Sequence, residues 1–253
     1  MPYYWYHMMS GDWTRDYFDD TYRRLFLETV DPVRTRQQVQ HLLVLCPLLP
    51  GSSILDVGCG IGRHSLAFAA LGFRVTGVDF NSHYVQACRD RAAALGIDAR
   101  FVTADSRTMK LSMDADLTVS LWSSFGYYGE EGDLQTLQSM AAHTRPGGSV
   151  VIDVENRDYI AKHFVPEEWH EDGEAMVAER RRFDVADGTI VTRRIVLVGT
   201  VKHEYRRVLR MYTMTELGAL LKQAGLKPER WYGDFDGSRF GMDSKRMIVI
   251  AER

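Results

Sequence analysis

The sequence predicts an α/β protein built on a doubly wound, seven-stranded sheet, with an antiparallel β insertion and an N-terminal helical segment. Two observations carry this prediction. At 54–71 an apolar strand pattern runs into a glycine-rich turn and then into a helical pattern. Further strand patterns that end at Asp79 and Asp105 alternate with helical patterns, as expected for parallel strands joined by crossover helices.

The first turn contains Gly58, Gly60 and Gly62, directly after a strand that ends near Asp56. Glycines let the backbone approach a ligand closely and leave free N–H groups at a helix start. A dinucleotide site would need its third glycine at the place of Arg63, and an acid before the turn would repel a pyrophosphate. S-adenosylmethionine carries a sulfonium and an ammonium group, so an acid-lined pocket favours this cofactor over NAD.

The next two strands also end in acids. Phe73–Asp79 is apolar and ends in a carboxylate in the region where doubly wound folds hold ribose hydroxyls. Arg100–Asp105 is followed by Ser106, and this pair is placed to meet an adenine edge. A single strand-end acid more often caps a helix, but three such acids on one sheet edge indicate a nucleotide ligand.

These motifs resemble the class I S-adenosylmethionine-dependent methyltransferases, which have a Rossmann-like fold. The resemblance extends from about Thr35 to the end of the chain, and it implies an enzyme that uses S-adenosyl-L-methionine as its cofactor. The positions that match the cofactor site of this family are Tyr17, Tyr22, Arg34, Thr35, Asp56, Gly58, Cys59, Gly60, Asp79, Phe80, Asp105, Ser106 and Leu121.

The N-terminal segment is expected to form a helical lid over the cofactor. Rings crowd it at Tyr3–Tyr6, and a helical pattern starts at Thr14. In the family that the chain resembles, a tyrosine of such a helix faces the sulfonium, and Tyr17 best matches that place. The alternative is a helix whose aromatic side packs on the core. Arg34 and Thr35 lie early in the second helix, where the resemblance implies contacts to the methionine carboxylate.

The loop after the fourth strand, Trp122–Gly129, borders the transferable methyl group in this family. Enzymes that methylate nucleic-acid amines place Asn/Asp-Pro-Pro-Tyr here, whereas this chain has Trp-Ser-Ser-Phe. Its Ser-Phe-Gly-Tyr run resembles bacterial enzymes that methylate small molecules. Phe125 and Tyr127 are therefore expected, with Tyr17, to form a catalytic aromatic wall, and packing under the loop is the alternative. A metal-dependent methylation site would need an acid after this strand, so we expect no metal.

The fifth strand is predicted at Ser149–Asp153, and the loop that follows it lies at the same active edge. In this loop Glu155 and Arg157 are candidates for binding the substrate, and a solvated loop carboxylate is the alternative for Glu155. The chain is expected to close with a helix and an antiparallel pair of strands, Leu226–Asp234 and Arg246–Ala251.

Between the fifth strand and this closing helix, the pattern changes to three antiparallel strands at 176–183, 189–198 and 203–211. Arg210 and Tyr212 resemble a recurrent step beside the pocket, so they are substrate candidates too. The other basic residues alternate with acids and apolar residues, which predicts a solvated strand face. They are Arg180–Arg182, Arg193, Arg194, Arg206 and Arg207.

These patterns divide the chain into three parts. Residues 1–48 are the N-terminal helical lid, residues 49–174 and 213–253 form the cofactor-binding α/β core, and residues 175–212 form the substrate-side insertion. A length of 253 residues suits one elaborated domain.

The composition limits the kinds of partner and the cellular compartment that the sequence predicts. The net charge of −3, from 31 basic and 34 acidic residues, argues against a nucleic-acid partner. Three scattered cysteines are too few for a disulfide framework or a metal site, which predicts a reduced, cytoplasmic setting. The sequence shows neither a membrane-length apolar run nor the pattern of a signal peptide, so no membrane partner is expected.

The expected activity is methylation of a small molecule, in a bacterial natural-product pathway. An amine needs only to be neutral when it attacks, whereas a hydroxyl needs a base. Because the loops show no His–Asp or Lys–Glu constellation, the sequence favours N-methylation over C- or O-methylation. An RNA or protein methyltransferase and a non-catalytic, cofactor-binding regulatory protein are the alternatives. The sequence is compatible with a homo-oligomer and does not identify the substrate.

Overall fold

The structure is a computed structural model that describes residues 13–253, and this part of the chain folds into two sheets with flanking helices. The helices are α1 Trp13–Tyr17, α2 Asp20–Tyr22, α3 Pro32–Leu45, α4 Arg63–Ala70, α5 Ser82–Leu95, α6 Gly129–Ala142, α7 Arg157–Lys162 and α8 Met214–Gln223. Helix α2 continues into a π-helical turn at Arg23–Leu27.

The strands follow the same chain order. They are β1 Ser53–Val57, β2 Arg74–Asp79, β3 Arg100–Thr103, β4 Ala115–Ser120, β5 Thr144–Glu155, β6 Glu167–Asp172, β7 Ala175–Asp184, β8 Thr189–Val198, β9 Val201–Arg210, β10 Lys227–Tyr232 and β11 Arg246–Glu252.

The larger sheet has seven strands in the order β10-β11-β5-β4-β1-β2-β3. Strands β1 to β5 run parallel, and β11 lies antiparallel to both of its neighbours. The predicted fold class, a doubly wound α/β sheet of seven strands with an antiparallel insertion, is confirmed. Since β1 lies between β2 and β4, the carboxyl ends of these three parallel strands meet at one edge, where such folds bind ligands.

The smaller sheet is antiparallel, in the order β6-β7-β8-β9. The sequence predicts three strands here, and this number is wrong, because the structure adds β6 at the edge. The missed strand has the sequence Glu-Glu-Trp-His-Glu-Asp, and its side chains are nearly all exposed. No apolar alternation marks such a strand, so the hydrophobic pattern could not reveal it.

Both faces of the larger sheet are buried by helices, and successive strand residues supply the two cores. In β1, Leu55 packs on the side of Leu137 from α6 and Leu217 from α8. Its neighbour Ile54 packs on the opposite side, with Leu42 from α3. This alternation follows from the pleat of a strand whose two faces are both covered.

The N-terminal helices connect the two sheets. Tyr17 is 2% exposed, and its ring centroid lies 5.9 Å from that of Tyr205 in β9. The hydroxyl of Tyr205 donates to Asp19 at 3.0 Å. On the other side, the Asn81 side-chain amide donates to the Phe18 carbonyl at 2.7 Å. Residues 17–19 are therefore held both by β9 of the smaller sheet and by Asn81, which follows β2 of the larger sheet.

Candidate active site

A cavity lies at the carboxyl ends of β1, β2 and β4, closed by the N-terminal helices and by the loop after β4. The residues that line it are Thr14, Phe18, Tyr22, Leu27, Asp56, Val57, Gly58, Cys59, Gly60, Ile61, Arg63, His64, Val78, Asp79, Phe80, Tyr84, Ala104, Ser106, Leu121, Trp122, Ser123, Ser124, Tyr127 and Tyr128. Nine residues predicted from sequence to bind the cofactor are among them: Tyr22, Asp56, Gly58, Cys59, Gly60, Asp79, Phe80, Ser106 and Leu121.

The glycine turn forms the floor of the cavity. Gly58 and Gly60 have φ angles of 73° and 56°, in the left-handed region that glycine adopts without strain. A Cβ atom on Gly58 would lie 2.7 Å from the Cβ of Ser124, so the loop after β4 can pack on this turn only because residue 58 has no side chain.

Asp79, at the end of β2, is oriented by two backbone amides. Its Oδ2 accepts from Gly60 N at 2.8 Å, and its Oδ1 accepts from Asn81 N at 2.9 Å. Each oxygen keeps a further acceptor position for a ligand hydroxyl. Burial raises the pKa of Asp79 to about 6, although the amide hydrogen bonds act in the opposite direction.

Asp56, at the end of β1, is more deeply buried and is 2% exposed. The hydroxyl of Ser65 in α4 donates to its Oδ2 at 2.5 Å. Burial raises the pKa of Asp56 to about 6, against the lowering effects of Ser65 and Arg63. A buried carboxylate with one hydrogen bond favours a cationic ligand, which would restore its ionised form.

Arg63, the first residue of α4, is a site residue that sequence reasoning missed. Its Nη1 donates to Thr35 Oγ1 at 2.9 Å and to Gln38 Oε1 at 3.0 Å. Its Nη2 is buried and has no hydrogen-bond partner among the described residues. The guanidinium also lies 4.3 Å from the Trp122 ring centroid. A buried, unpartnered guanidinium nitrogen in a cavity fits a ligand carboxylate.

The turn after β4 is strained. Trp122 and Ser123 have φ angles of 58° and 59°, which non-glycine residues rarely adopt. The Asp153 carboxylate, fully buried at the neighbouring strand β5, accepts from Trp122 N at 2.8 Å and from Arg246 Nε at 2.8 Å. Arg246 also donates to Ser123 Oγ at 3.0 Å. This clamp between Asp153 and Arg246 holds the strained turn against the cavity.

The remaining predicted cofactor residues lie outside the cavity lining. Arg34 is exposed, and Thr35 contacts Arg63 rather than the cavity. Asp105 pairs with Arg107 at 2.6 Å, and this hydrogen-bonded partner lowers the pKa of Asp105. Direct contact of Arg34, Thr35 and Asp105 with a cofactor stays a prediction.

The three residues predicted as a catalytic wall are placed differently. Tyr127 lines the cavity, whereas Phe125 is buried in the core, with its ring centroid 5.7 Å from that of Tyr212. Tyr17 also lies outside the lining and packs 4.8 Å from the Tyr22 ring, so that Phe18 and Tyr22 present the aromatic surface. The predicted rings at positions 3–6 lie outside the described residues.

Three of the predicted substrate residues, Arg157, Arg210 and Tyr212, are tied to protein partners. Arg210 donates to Glu216 Oε1 at 3.0 Å, and Arg157 donates to Glu216 Oε2 at 2.7 Å. The Tyr212 hydroxyl donates to the buried Asp133 at 2.7 Å. Glu155 interacts electrostatically with Tyr127 at the cavity.

Arg194 and Arg207 correct the prediction of a solvated basic face. The Arg194 side chain is 16% exposed and forms an ion pair with the buried Glu179, and Arg207 Nε is buried. Arg207 lies between Tyr205 and Leu209, both buried, on alternate positions of β9. That i, i+2 pattern was the signal in the sequence that this face points inward.

Among the described residues, no group of three or more His, Cys, Asp and Glu side chains is placed to hold a metal ion. Within the same residues, no helix has the length and apolar character that crossing a bilayer requires.

Several known proteins are similar to this chain. Residues 54–148 match the family described as a methyltransferase domain. The cypemycin N-terminal methyltransferase of a Streptomyces species is 25% identical over 218 residues, which cover 81% of this chain and 84% of that protein. The dTDP-3-amino-3,4,6-trideoxy-alpha-D-glucopyranose N,N-dimethyltransferase of Streptomyces venezuelae is 32% identical over 103 residues, 40% of this chain and 42% of that protein.

The fold has a near match among solved structures. The CcbJ methyltransferase of Streptomyces caelestis superposes with a TM-score of 0.81 at 20% identity, over 93% of this chain and 97% of that chain. This likeness establishes the fold. The methyltransferase-domain match and the named relatives confirm the prediction of an S-adenosylmethionine-dependent methyltransferase.

Proposed function

We propose that this chain, an S-adenosylmethionine-dependent methyltransferase of class I, transfers a methyl group to the nitrogen of a small molecule in a bacterial natural-product pathway. The observation that carries the choice of nitrogen is the composition of the cavity wall. The wall is aromatic at Phe18, Tyr22 and Tyr127, and its described lining contains neither Lys nor Glu.

The polar groups of the cavity fit the cofactor. Asp79 would accept hydrogen bonds from ribose hydroxyls, and the unpartnered Nη2 of Arg63 would pair with the methionine carboxylate. Asp56 would favour the positively charged end of the amino acid. Phe80 and Ser106 line the part of the cavity left for the adenine. When bound, S-adenosylmethionine supplies an electrophilic methyl group on a sulfonium.

The aromatic wall stabilises a positive charge and helps to orient the acceptor. Rings stabilise a nearby cation through their electron-rich faces, and Tyr17, packed behind Tyr22, fixes the ring that presents this face. Holding the acceptor atom in line with the methyl group is the main contribution that the protein makes to such a displacement. The segment 1–48 would act as the lid that excludes water.

An amine suits this wall because it can attack without a protein base, once it is neutral. His64 is the histidine of the described lining, but its Nε2 lies 3.0 Å from Gln38 Oε1. That oxygen also accepts from Arg63, so Nε2 carries the proton and cannot accept one. Burial moves the pKa of His64 well below its ordinary value.

Two relatives support this proposal by their names, since one is an N-terminal methyltransferase and the other an N,N-dimethyltransferase acting on an aminosugar nucleotide. Both come from Streptomyces, which supports a natural-product pathway. The loop Trp122–Phe125 lacks the Pro-Pro-Tyr element, which argues against a nucleic-acid amine as the acceptor.

The test is incubation of the protein with S-adenosylmethionine that carries a ¹³C-labelled methyl group, together with matched panels of primary amines and alcohols. We expect labelled methyl carbon on nitrogen, identified by its NMR shift, and formation of S-adenosylhomocysteine. Methyl carbon on oxygen would overturn the choice of nitrogen. Label found only on added RNA or protein would overturn the small-molecule substrate. Cofactor binding without any turnover would favour a regulatory protein.

A further inference from the structure

The inward face of the smaller sheet contains two buried polar atoms without a hydrogen-bond partner among the described residues. They are Nε of Arg207 in β9 and Oγ1 of Thr192 in β8. The two residues are direct cross-strand partners in the register of this pair, and Thr192 is 2% exposed. Buried polar groups are nearly always hydrogen-bonded, so two unmatched groups side by side indicate a place for a ligand atom.

Apolar side chains flank this pair along the two strands, and Arg181 of β7 lies across from Thr192 on its other side. On one side lie Val196 and Tyr205, which belong to a buried cluster with Tyr17. On the other side lie Ile190 and Leu209, which belong to a second buried cluster. Arg181 and Arg194 on the same face are already paired with Glu179. The donors of this face that lack a partner among the described residues are Arg207 Nε and Thr192 Oγ1, and they fit an anion.

The pair is connected to the cofactor cavity through Tyr127. The Arg207 guanidinium acts on the Tyr127 hydroxyl and lowers its pKa, although burial raises this pKa overall, and the same tyrosine lines the cavity. Arg207 is therefore one side chain away from the cavity in which the methyl group is transferred.

Glu155, at the end of β5, supplies the opposite charge. It interacts electrostatically with both Arg207 and Tyr127. It nevertheless forms no ion pair with Arg207, since Arg207 is absent from the ion pairs of 4.0 Å or less among the described residues. A positive and a negative side chain are thus near enough to interact electrostatically, and they are not joined in an ion pair.

We propose that Arg207 and Thr192 bind the carboxylate of a substrate that carries both an amine and a carboxylate, while Glu155 accepts a hydrogen bond from the amine. This inference rests on the proposed function, because the amine is the methyl acceptor. Arg207 Nε and Thr192 Oγ1 donate to the two carboxylate oxygens. A phosphate fits less well, because its second negative charge would lie near Glu155.

The substrate class is tested with matched pairs of probes that differ only in the carboxylate. The pairs are the proteinogenic amino acids with their decarboxylated amines, for instance L-phenylalanine with phenethylamine and L-tryptophan with tryptamine. Binding is measured by calorimetry in the presence of S-adenosylhomocysteine, and turnover with labelled cofactor. We expect the acid member of the accepted pair to bind at least about tenfold more tightly, the scale of charge-assisted hydrogen bonds. Binding by no amino acid, or equal binding within every pair, overturns the proposal.

Variants then assign the preference to the two residues. Thr192→Val keeps the shape of the side chain, Arg207→Met keeps an unbranched apolar stem, and each change removes the donor. We expect Arg207→Met to abolish the preference for the acid member, Arg207→Lys to restore part of it, and Thr192→Val to reduce it several-fold. Arg193→Met is the matched control, because Arg193 lies on the outward face of β8, is 48% exposed and pairs with Glu204. It should leave the preference unchanged.

The outcomes separate the two proposals. If both Arg207→Met and Thr192→Val still prefer the acid member of the pair, Arg207 Nε and Thr192 Oγ1 hold an ordered water only. The proposed carboxylate site is then wrong, and the proposal of N-methylation is unaffected. If label appears on oxygen of the accepted substrate, the proposed function itself is wrong. If Arg207→Met does not fold, as judged by circular dichroism, the folded Thr192→Val variant still decides the result.

Discussion

The cofactor edge of the larger sheet and the inward face of the smaller sheet differ in how their buried polar groups are hydrogen-bonded. At the cofactor edge, Asp79 accepts two backbone amides, and Asp153 holds Trp122 and Arg246. On the inward face of the smaller sheet, Arg207 Nε and Thr192 Oγ1 have no hydrogen-bond partner among the described residues. In the first region the acidic side chains have protein donors and Arg63 Nη2 is left for a ligand, whereas in the second region a buried donor pair is left beside the satisfied Arg194–Glu179 ion pair.

This difference shows how the two regions obtain their specificity. On the proposals above, the cofactor is bound by groups that the fold itself orients. The proposed substrate side is built from β-strands that present side chains in alternation, so a change of one inward residue should change which substrate is recognised. Four changes test or sharpen this comparison, given in order of decreasing effect.

The largest effect is expected for Arg246→Met. The variant leaves the Asp153 carboxylate buried without its cation, and breaking a buried pair costs about 3–5 kcal/mol of unfolding free energy. The strained Trp122–Ser123 turn should relax as well and weaken cofactor binding. Chemical denaturation with and without cofactor measures both. Arg145→Met is the control, because the Arg145 side chain is 47% exposed in its pair with Asp116, and a surface pair contributes about 0–1 kcal/mol. Equal losses in the two variants would contradict the clamp.

The second change separates two strand-end acids. Asp79→Ala should weaken binding of S-adenosylhomocysteine by about 2–3 kcal/mol, the scale of hydrogen bonds to a charged group. Asp105→Ala should have little effect, because Asp105 is paired with Arg107 outside the cavity lining. Calorimetric titration measures both affinities. An equal loss of affinity in the Asp105 variant would support its predicted role at the adenine. Unchanged affinity in a folded Asp79 variant would show that Asp79 is a structural cap.

The third test is the pH dependence of cofactor affinity. Burial raises the pKa values of Asp56 and Asp79 to about 6, above those of the unfolded chain. Their contribution to the stability of the free protein is therefore present at low pH and is lost as the pH rises through about 6. The cationic cofactor needs the ionised forms, so its affinity should change in the opposite direction and fall about tenfold or more from pH 7.5 to pH 5. Asp79→Asn should flatten this profile, and an affinity independent of pH would contradict the two carboxylates as ligands.

The smallest effect is expected for Tyr212→Phe. Sequence resemblance predicts a substrate role for Tyr212, whereas the structure ties its hydroxyl to Asp133, which is 1% exposed. Loss of this hydrogen bond should lower the unfolding free energy by about 1–2 kcal/mol and leave KM for the substrate unchanged. A rise in KM at unchanged stability would instead support the predicted contact. Tyr232→Phe, at the half-buried end of β10, is a control for the change of residue type.

The sequence allowed the fold and much of the cofactor edge to be predicted, because both depend on local rules. A strand that ends in an acid and a glycine turn place Asp56, Gly58 and Asp79 at one edge, whatever the rest of the chain does. Arg63 and Trp122 were missed since their roles depend on a contact between α4 and the loop after β4. Arg207 was missed because charge counting favoured a solvated face, although its neighbours Tyr205 and Leu209 alternate as an inward-facing strand does.

The hydrogen bond between Tyr205 and Asp19 joins residues 186 positions apart in sequence. During synthesis, Asp19 leaves the ribosome long before Tyr205 exists, so the N-terminal helices must wait for β9 before they can take their place. Contacts of such long sequence separation slow folding, and until they form, the rings of Phe18 and Tyr22 are exposed surface on which nascent chains aggregate or chaperones bind. A chain interrupted before β9 would contain the whole glycine turn, but it would lack Tyr205, which holds the N-terminal helices that bring Phe18 and Tyr22 to the cavity.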